Sequence, residues 1–199
     1  MTEALKTQEA KMGIQSGDGQ HPIKEGLANA IQATGDVFGT IVKTVSEGIS
    51  TAAKTTGQAG VSVLEAVGGI VRTAVRGSLG VGKDLIQGTK AIVMGVIKGT
   101  GEKEEAALKQ LSHTARTVIR QTAEMNGDAG AAATGLVLGA IAGAKEMGVD
   151  PSKAATAAGV AAAEEADQIG SVASEQVRVA LKKEIGGITV VLPEPAKKQ

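Results

Sequence analysis

Residues 39–67, GTIVKTVSEGISTAAKTTGQAGVSVLEAV, decide the fold of this chain because one five-residue phrase returns in them every eleven residues. Followed outward at the same spacing, the phrase occurs nine times, from NAIQA at 29–33 to TVIRQ at 117–121. Between these ends it reads, for example, TIVKT at 40–44, TAAKT at 51–55 and SVLEA at 62–66. Eleven residues make three turns of an α-helix at about 3.67 residues per turn, so equivalent positions of all units share one helix face.

The pattern within the phrase is the same in every unit. The second and third positions are always apolar, and the fourth position is always polar. Six of the nine fourth-position residues are basic, and we call them the basic column: Lys43, Lys54, Arg76, Lys98, Lys109 and Arg120. The third-position residues that we single out are Ile31, Val42, Leu64, Val75, Ile86 and Ile97. We predict that both sets contact a partner surface, the apolar residues by burial and the basic residues through their charges.

The second and third positions join a further apolar column, and together they form what we call the apolar arc. The further column includes Phe38, Ile49 and Val71. The arc is wider than about 100°, which is typical of an amphipathic helix. As one unbroken helix, residues 23–121 would be about 150 Å long. Gly, Thr and Val are poor helix formers, so such a helix needs a surface that buries the arc: lipid, another copy, or the rest of the chain folded back.

The composition excludes several classes of function. The chain has 21 basic and 21 acidic residues, so no net charge draws it to nucleic acid. Phe38 is the only aromatic residue, which leaves no means of base stacking, and the absence of cysteine excludes disulfides and thiolate metal sites. The first residues, MTEALKTQEAKMG, do not resemble a secretory signal, and no stretch reaches the roughly 20 apolar residues of a membrane span. We therefore expect a cytoplasmic protein, peripheral to a membrane or granule where lipid is the partner.

Beyond residue 125 the sequence becomes rich in Ala and Gly. Asn126-Gly127-Asp128 and Asp150-Pro151 are typical of helix boundaries, so we predict helices over 129–147, 151–168 and 171–185. The run ITVVL, at 188–192, is strand-like in composition.

Three glycines in the first of these helices predict close helix packing. Gly135, Gly139 and Gly143 recur at four-residue spacing in residues 129–144, which carry no charge. This spacing places them on one helix face, where a neighbouring backbone can approach closely. We expect a soluble hairpin in which the alanines of 151–168 are the neighbour; the alternative is a glycine zipper that inserts into a membrane.

These patterns predict an all-α fold with a long amphipathic repeat helix followed by a small Ala/Gly-rich helical bundle. The predicted regions are a flexible N-terminal segment (1–22), the repeat region (23–125), the C-terminal region (126–185) and a Pro-containing tail (186–199). The repeat region has 12 basic and 9 acidic residues, a net charge of +3, and the C-terminal region has 5 and 8, a net charge of −3. Either anionic surfaces attract the repeat region weakly, or the two regions pair with each other.

No group of residues predicts catalysis. Residues 77–83, GSLGVGK, fit most of a phosphate-binding loop, but Asp84 stands where that loop needs Ser or Thr to hold magnesium. His21 and His113 are the only histidines, and we expect both to be solvated because neither has partners for a triad or a zinc site. Glu164 and Glu165 are expected on a solvated helix face. We predict no catalytic residue, no metal and no cofactor, and no small-molecule substrate is evident.

Residues 39–67 and the segment GTKAIVMGVIKGTG at 88–101 resemble the 11-residue-repeat lipid-surface proteins: synucleins, exchangeable apolipoproteins and the perilipin class of lipid-droplet coat. The resemblance lies in the Thr, Gly, Val and Lys content at this period, and it covers residues 23–121, about half of the chain. It implies a helix that forms on a lipid surface. Desiccation-protective proteins of the late-embryogenesis type share the period but are far more hydrophilic than this chain, whose mean hydropathy is +0.07.

Two functions fit the sequence, both non-enzymatic and both without nucleic acid. The first is a peripheral coat on a membrane, lipid droplet or granule, bound through the repeat helix, with residues 126–185 used for homo-oligomerisation. The second is a self-assembling structural protein whose arc is buried against other copies in a right-handed supercoil. Small residues such as Ala52, Ala53 and Gly60 interrupt the arc, which favours lipid because acyl chains fill gaps that a coiled-coil seam does not tolerate.

Overall fold

The computed structural model describes residues 37–59, 63–80, 85–100 and 104–195. Within them the chain forms seven helices and no strand: α1 (Val37–Ala59), α2 (Val63–Gly80), α3 (Leu85–Thr100), α4 (Glu104–Glu124), α5 (Ala129–Met147), α6 (Pro151–Ile169) and α7 (Ser171–Leu181). The prediction of an all-α fold is confirmed. The predicted N-terminal segment 1–22 and the first repeat phrase at 29–33 lie outside the described residues.

The described part of the repeat region forms four helices, α1 to α4, and not the one long repeat helix that the sequence pattern predicts. These helices are 16 to 23 residues long. Successive helices contact each other, and Gly48 of α1 lies against Ile70 of α2. Because each short helix can bury its apolar arc against its neighbours, the folded-back arrangement removes from water a surface that a single extended helix would expose.

Short polar boundaries set the ends of the C-terminal helices. The carboxylate of Asp128 accepts hydrogen bonds of 2.9 and 3.0 Å from backbone N–H groups in the first turn of α5. Asp150 does the same for α6 at 2.8 and 3.3 Å, and Pro151 is the first residue of that helix. Gly148 ends α5 with a left-handed φ of 70°, a conformation that suits glycine. The starts predicted at 129 and 151 are confirmed, because they depend on local capping chemistry.

The helices are stacked in two rows, α1, α3, α5 and α7 in one and α2, α4 and α6 in the other. Each helix contacts the helices one and two places away along the chain. Gly135 of α5 lies against Ile86 of α3, and Gly143 lies against Ile97, so these two helices run in the same direction. This order of contacts is typical of stacked helical hairpins, in which each hairpin packs on the one before it.

One hydrophobic core extends through both rows. From the repeat region it includes Val45, Val71 and Ile97, and from the C-terminal region Leu136 and Leu181, all exposed by 2% or less. The two regions, which the sequence distinguishes by composition and charge, therefore share a single core.

The tail differs from the strand-like prediction. α7 ends at Leu181, four residues before the predicted end, and a tight turn follows at Gly186 and Gly187, whose φ values are 59° and 84°. The turn pairs Ile185 with Ile188 through backbone hydrogen bonds of 2.9 and 3.1 Å. Residues 189–195 form no regular structure, because no second strand is present among the described residues to pair with them. Val190 is buried instead against Gly159 of α6.

Candidate functional site

The apolar arc of the described repeat helices faces the interior of the stack. Val75 is fully buried and Ile97 is 2% exposed, while Val42 and Ile86 are half-buried. Ile31 and the side chain of Leu64 lie outside the described part of the chain. Of the three surfaces that could cover the arc, the structure places the chain's own helices there.

All six residues of the basic column are exposed. They lie on the outer surfaces of α1 to α4, opposite the buried arc, as the period of eleven predicts. Lys43 pairs with Glu47 of the same helix at 3.9 Å, where both side chains are exposed. Lys54, Arg76 and Lys109 have no ion-pair partner among the described residues.

The other two members of the column join the repeat region to the C-terminal region. The Nζ atom of Lys98 lies 2.6 Å from a carboxylate oxygen of Glu146 on α5. Arg120 lies 2.7 Å from Glu165 on α6. The opposite net charges of the two regions favour such ion pairs. Each pair leaves one basic side chain fewer for an anionic partner.

The expectation that Glu164 and Glu165 lie on a solvated face is wrong for Glu165. Its side chain is 3% exposed and accepts hydrogen bonds from Arg120, while the half-exposed Glu164 pairs with Arg116. A further pair, Lys153 with Glu104 at 2.9 Å, also joins α6 to α4, and hydrogen bonding to Glu104 raises the pKa of Lys153. The sequence predicts that adjacent acids are solvated, because no local sequence pattern shows that a second helix covers them.

The three glycines of α5 lie on a face that contacts α3, rather than the alanines of α6. A Cβ atom at Gly139 would lie 2.6 Å from the carbonyl oxygen of Lys90, and one at Gly143 would lie 2.9 Å from Ile97 Cδ1. A Cβ atom at Gly135 would lie closer still, against Thr89 Oγ1 and the carbonyl oxygen of Ile86. The sequence identified the close-packing face, but the partner helix comes from 40 or more residues earlier in the chain, which spacing alone does not reveal.

In the part of the chain that the structure describes, buried side-chain oxygens without hydrogen-bond partners are concentrated on α4. Gln110 Oε1, Thr114 Oγ1, Gln121 Oε1 and Thr122 Oγ1 have no hydrogen bond and are buried. Each unsatisfied buried polar group costs about 1 to 3 kcal/mol. The packing of α4, which carries the last two repeat phrases, therefore includes a free-energy cost from buried polar groups without partners. The sequence does not reveal this cost, because it shows these residues only as ordinary Gln and Thr.

Two exposed valines of the described chain lie on α7. A groove of about 850 Å³ runs between α5 and α7 and has a mixed lining, with Leu138, Val172 and Val179 among its apolar side chains and Glu175 and Lys183 among its charged ones. Val172 is 70% exposed and Val179 is 51% exposed. We call this the α5–α7 groove. Its residues were not singled out from the sequence, although VASEQVRVAL (172–181) places apolar residues on two faces of one short helix.

The features weighed for catalysis form no site among the residues that the structure describes. His113 is half-buried against Gly68 rather than fully solvated, and His21 lies outside the described residues. Residues 77–80 of the loop-like segment are the last residues of α2, and 81–84 are not described. No group of three or more His, Asp or Glu side chains in the described ranges is arranged to hold a metal.

Across the helices described, none combines the length and the apolar content that crossing a membrane requires, and this includes α5 with its glycine face. In comparisons with known proteins, no family model matches the chain and no curated protein is significantly similar to it.

Proposed function

We propose that this protein is a non-enzymatic structural protein that self-associates as a folded helical stack. The observation that supports the proposal is the position of the uncovered apolar surface. The arc of the described repeat helices is covered by the chain's own helices, whereas Val172 and Val179 are exposed beside the α5–α7 groove. Apolar side chains exposed beside a groove offer surface that contact with another molecule removes from water.

This form of self-association differs from a supercoil of extended helices. In the supercoil, other copies would cover the apolar arc. In the folded stack that arc already lies on neighbouring helices of the same chain. Copies of the chain would therefore contact each other through the surface that the stack leaves exposed.

Sedimentation velocity over a wide range of protein concentration tests the proposal. The expected result is a mass that rises with concentration above the 19.8 kDa of one chain. A single species of that mass at every concentration would contradict self-association.

The second candidate is a peripheral lipid coat, and the packing of α4 favours it. Four buried polar atoms on this helix lack partners, which lowers the free energy needed to separate it from its neighbours. A lipid surface that competes for the apolar arc would allow those polar groups to reach water. Lys54, Arg76 and Lys109 are exposed and have no ion-pair partner in the described ranges, and they would then meet anionic head groups.

Flotation with vesicles that contain phosphatidylserine distinguishes the candidates. For a lipid coat, Lys54→Glu/Lys109→Glu reduces vesicle binding strongly. The matched control Arg72→Glu/Lys145→Glu makes the same charge change at exposed positions outside the column and retains most of the binding. Equal binding by both variants, or no binding by the unmodified protein, counts against the lipid coat.

A further inference from the structure

We propose that copies of this chain join by exchanging an extended segment of the tail. In the structure, residues 188–193, which we call the strap, lie across α6 and α7 of their own chain. In the exchanged pair, each strap lies across the same two helices of the other copy. The inference rests on the proposed self-association and names a segment that links the copies.

Two contacts fix the strap on these helices. Val190 is 5% exposed, and its Cγ1 atom lies 2.7 Å from the position that a Cβ atom of Gly159 on α6 would take, so the glycine makes room for this side chain. The guanidinium of Arg178 on α7 donates a hydrogen bond of 2.7 Å to the carbonyl oxygen of Pro193. Its other two nitrogens are bonded to Asp167 of α6, which holds the guanidinium in place. The helices therefore bind an extended segment through one apolar side chain and one carbonyl group.

The strap is not held by backbone pairing. Beyond Ile188, no backbone-to-backbone hydrogen bond joins it to another part of the described chain. Pro193 and Pro195 favour an extended backbone in the residues before them, so the segment loses little entropy when it binds. A cleft of about 460 Å³ remains between the strap and the C-terminal end of α7. Such a segment can leave one binding surface and enter an identical one without a change in secondary structure.

The turn that precedes the strap is suited to act as a hinge. Gly186 and Gly187 have left-handed φ values of 59° and 84°, and two backbone hydrogen bonds between Ile185 and Ile188 close the turn. Opening the turn breaks these hydrogen bonds and lets the strap extend away from its own helices. Glycine adopts positive and negative φ values about equally readily, so the change in backbone conformation costs little.

The identity of the contacts names a second copy as the partner. Another copy brings the same Val190 side chain and the same Pro193 carbonyl group to Gly159 and Arg178 of the first. Each copy then gives one strap and receives one, which closes the pair. Because these contacts are the same within one chain and between two chains, the free energy of the turn and the protein concentration set the balance between the two forms.

Substitution of Gly187 tests the hinge. A side chain disfavours the φ of 84°, and a Cβ atom there would meet no atom of the described residues within 4 Å, so Gly187→Ala acts on the closed turn alone. Exchange opens one such turn in each copy, and the dimer dissociation constant is therefore expected to fall by about 10-fold or more. Sedimentation velocity measures this constant.

The matched control for the hinge is Gly148→Ala. Gly148 ends α5 with a φ of 70° and equally open surroundings among the described residues, so alanine introduces the same kind of backbone strain away from the strap. This variant is expected to keep the dissociation constant of the unmodified chain. A dissociation constant that stays constant or rises in Gly187→Ala overturns the exchange.

Disulfide trapping tests which copy the strap contacts. A Cβ atom at Gly159 would lie 3.4 Å from the Val190 Cβ atom, close to the separation in a disulfide, and the chain has no cysteine of its own. Chains with Gly159→Cys/Val190→Ala are mixed with Val190→Cys chains, so that this disulfide forms only between two copies. The control mixture contains Val191→Cys instead, whose thiol is more accessible because Val191 is 79% exposed. Exchange predicts a covalent heterodimer in clear excess with Val190→Cys, and equal yields or no heterodimer would overturn it.

The outcomes separate this inference from the proposed function. If the unmodified protein and Gly187→Ala are both monomeric at every concentration, self-association itself is contradicted, and the exchange with it. If the unmodified protein self-associates but Gly187→Ala does not strengthen the association and no specific disulfide forms, the exchange is wrong while the proposed function stands.

Discussion

The side chain of Arg120 reaches from α4 to Glu165 on α6, where N and O atoms lie 2.7 Å apart and the carboxylate is almost completely buried. Arg120 is the last member of a basic column that the 11-residue period predicts for a partner surface. In this structure its partner is the chain's own C-terminal region. The same holds for Lys98 with Glu146, so two of the six basic positions serve internal packing.

Removal of the Arg120 side chain should lower the free energy of unfolding more than removal of a basic side chain from a fully exposed ion pair. Arg120→Met leaves the buried carboxylate of Glu165 without its guanidinium, and we expect a loss of about 2 to 3 kcal/mol in the free energy of unfolding. Lys43→Met, which breaks an exposed pair, should cost about 0.5 kcal/mol or less. Chemical denaturation followed by circular dichroism measures both. Recovery of stability in Arg120→Met/Glu165→Met would confirm the unpaired charge as the cause, and equal effects of the two single variants would contradict it.

A side chain at Gly139 should separate α5 from α3. A Cβ atom there would lie 2.6 Å from the Lys90 carbonyl oxygen and 2.8 Å from Val93 Cβ, neither of which is a flexible side-chain end. Gly139→Ala should therefore lower the thermal midpoint and cost about 1 to 3 kcal/mol, although alanine is the better helix former. Gly68→Ala is the matched control, because among the described residues its new methyl group would meet only the His113 imidazole, at 3.1 Å. A stabilised Gly139→Ala variant would be incompatible with the close approach of these helices.

Removal of an unpaired hydroxyl from α4 should stabilise the protein. Thr114 is fully buried and its hydroxyl has no hydrogen bond, so Thr114→Val replaces it with an apolar group of the same shape. We expect a gain of about 1 to 2 kcal/mol. Thr89→Val is the control, and it should lower the stability because the Thr89 hydroxyl donates a hydrogen bond of 2.8 Å to the carbonyl oxygen of Leu85. Urea denaturation measures both variants, and a loss of stability in Thr114→Val would mean that the hydroxyl has a partner in solution.

The Asp167–Arg178 contact should make stability dependent on pH in the acidic range. Hydrogen bonding from Arg178 lowers the pKa of the Asp167 carboxyl, and burial opposes this only in part. A lowered pKa in the folded state contributes stability at pH values above the ordinary carboxyl pKa of about 4. That contribution is lost as the pH falls through the lowered value. Asp167→Asn should therefore cost about 2 to 3 kcal/mol near pH 7, and the difference from the unmodified chain should shrink below about pH 4. A difference that stays constant between pH 7 and pH 3 would rule out this linkage.

Much of the fold follows from patterns of short range. The period of eleven predicts helices whose fourth phrase position is exposed, and all six basic residues are exposed. Asp128, Asp150 and Pro151 predict helix starts because a cap satisfies backbone N–H groups two or three residues away. The four-residue glycine spacing predicts a close-packing face, since spacing fixes which residues share a face.

Relationships between distant residues did not follow from the sequence. The closeness of Gly139 to Lys90 and the burial of Glu165 depend on which helices become neighbours, and no local pattern contains that information. The uncovered valines of α7 were missed for the same reason. Val172 and Val177 are both apolar members of one short helix, but only the packing of α5 and α6 buries the second and leaves the first exposed.

The sequence by itself determined that this chain is helical, that its repeat helices are amphipathic, and where several helices begin, because hydrogen bonding, capping and helix periodicity act over a few residues. The tertiary structure alone decided what covers the apolar arc. An apolar stripe gains free energy from any surface that removes it from water, so its pattern does not name the partner. The stacking of the chain's own hairpins answers that question for the repeat helices, and it leaves Val172 and Val179 exposed beside the α5–α7 groove.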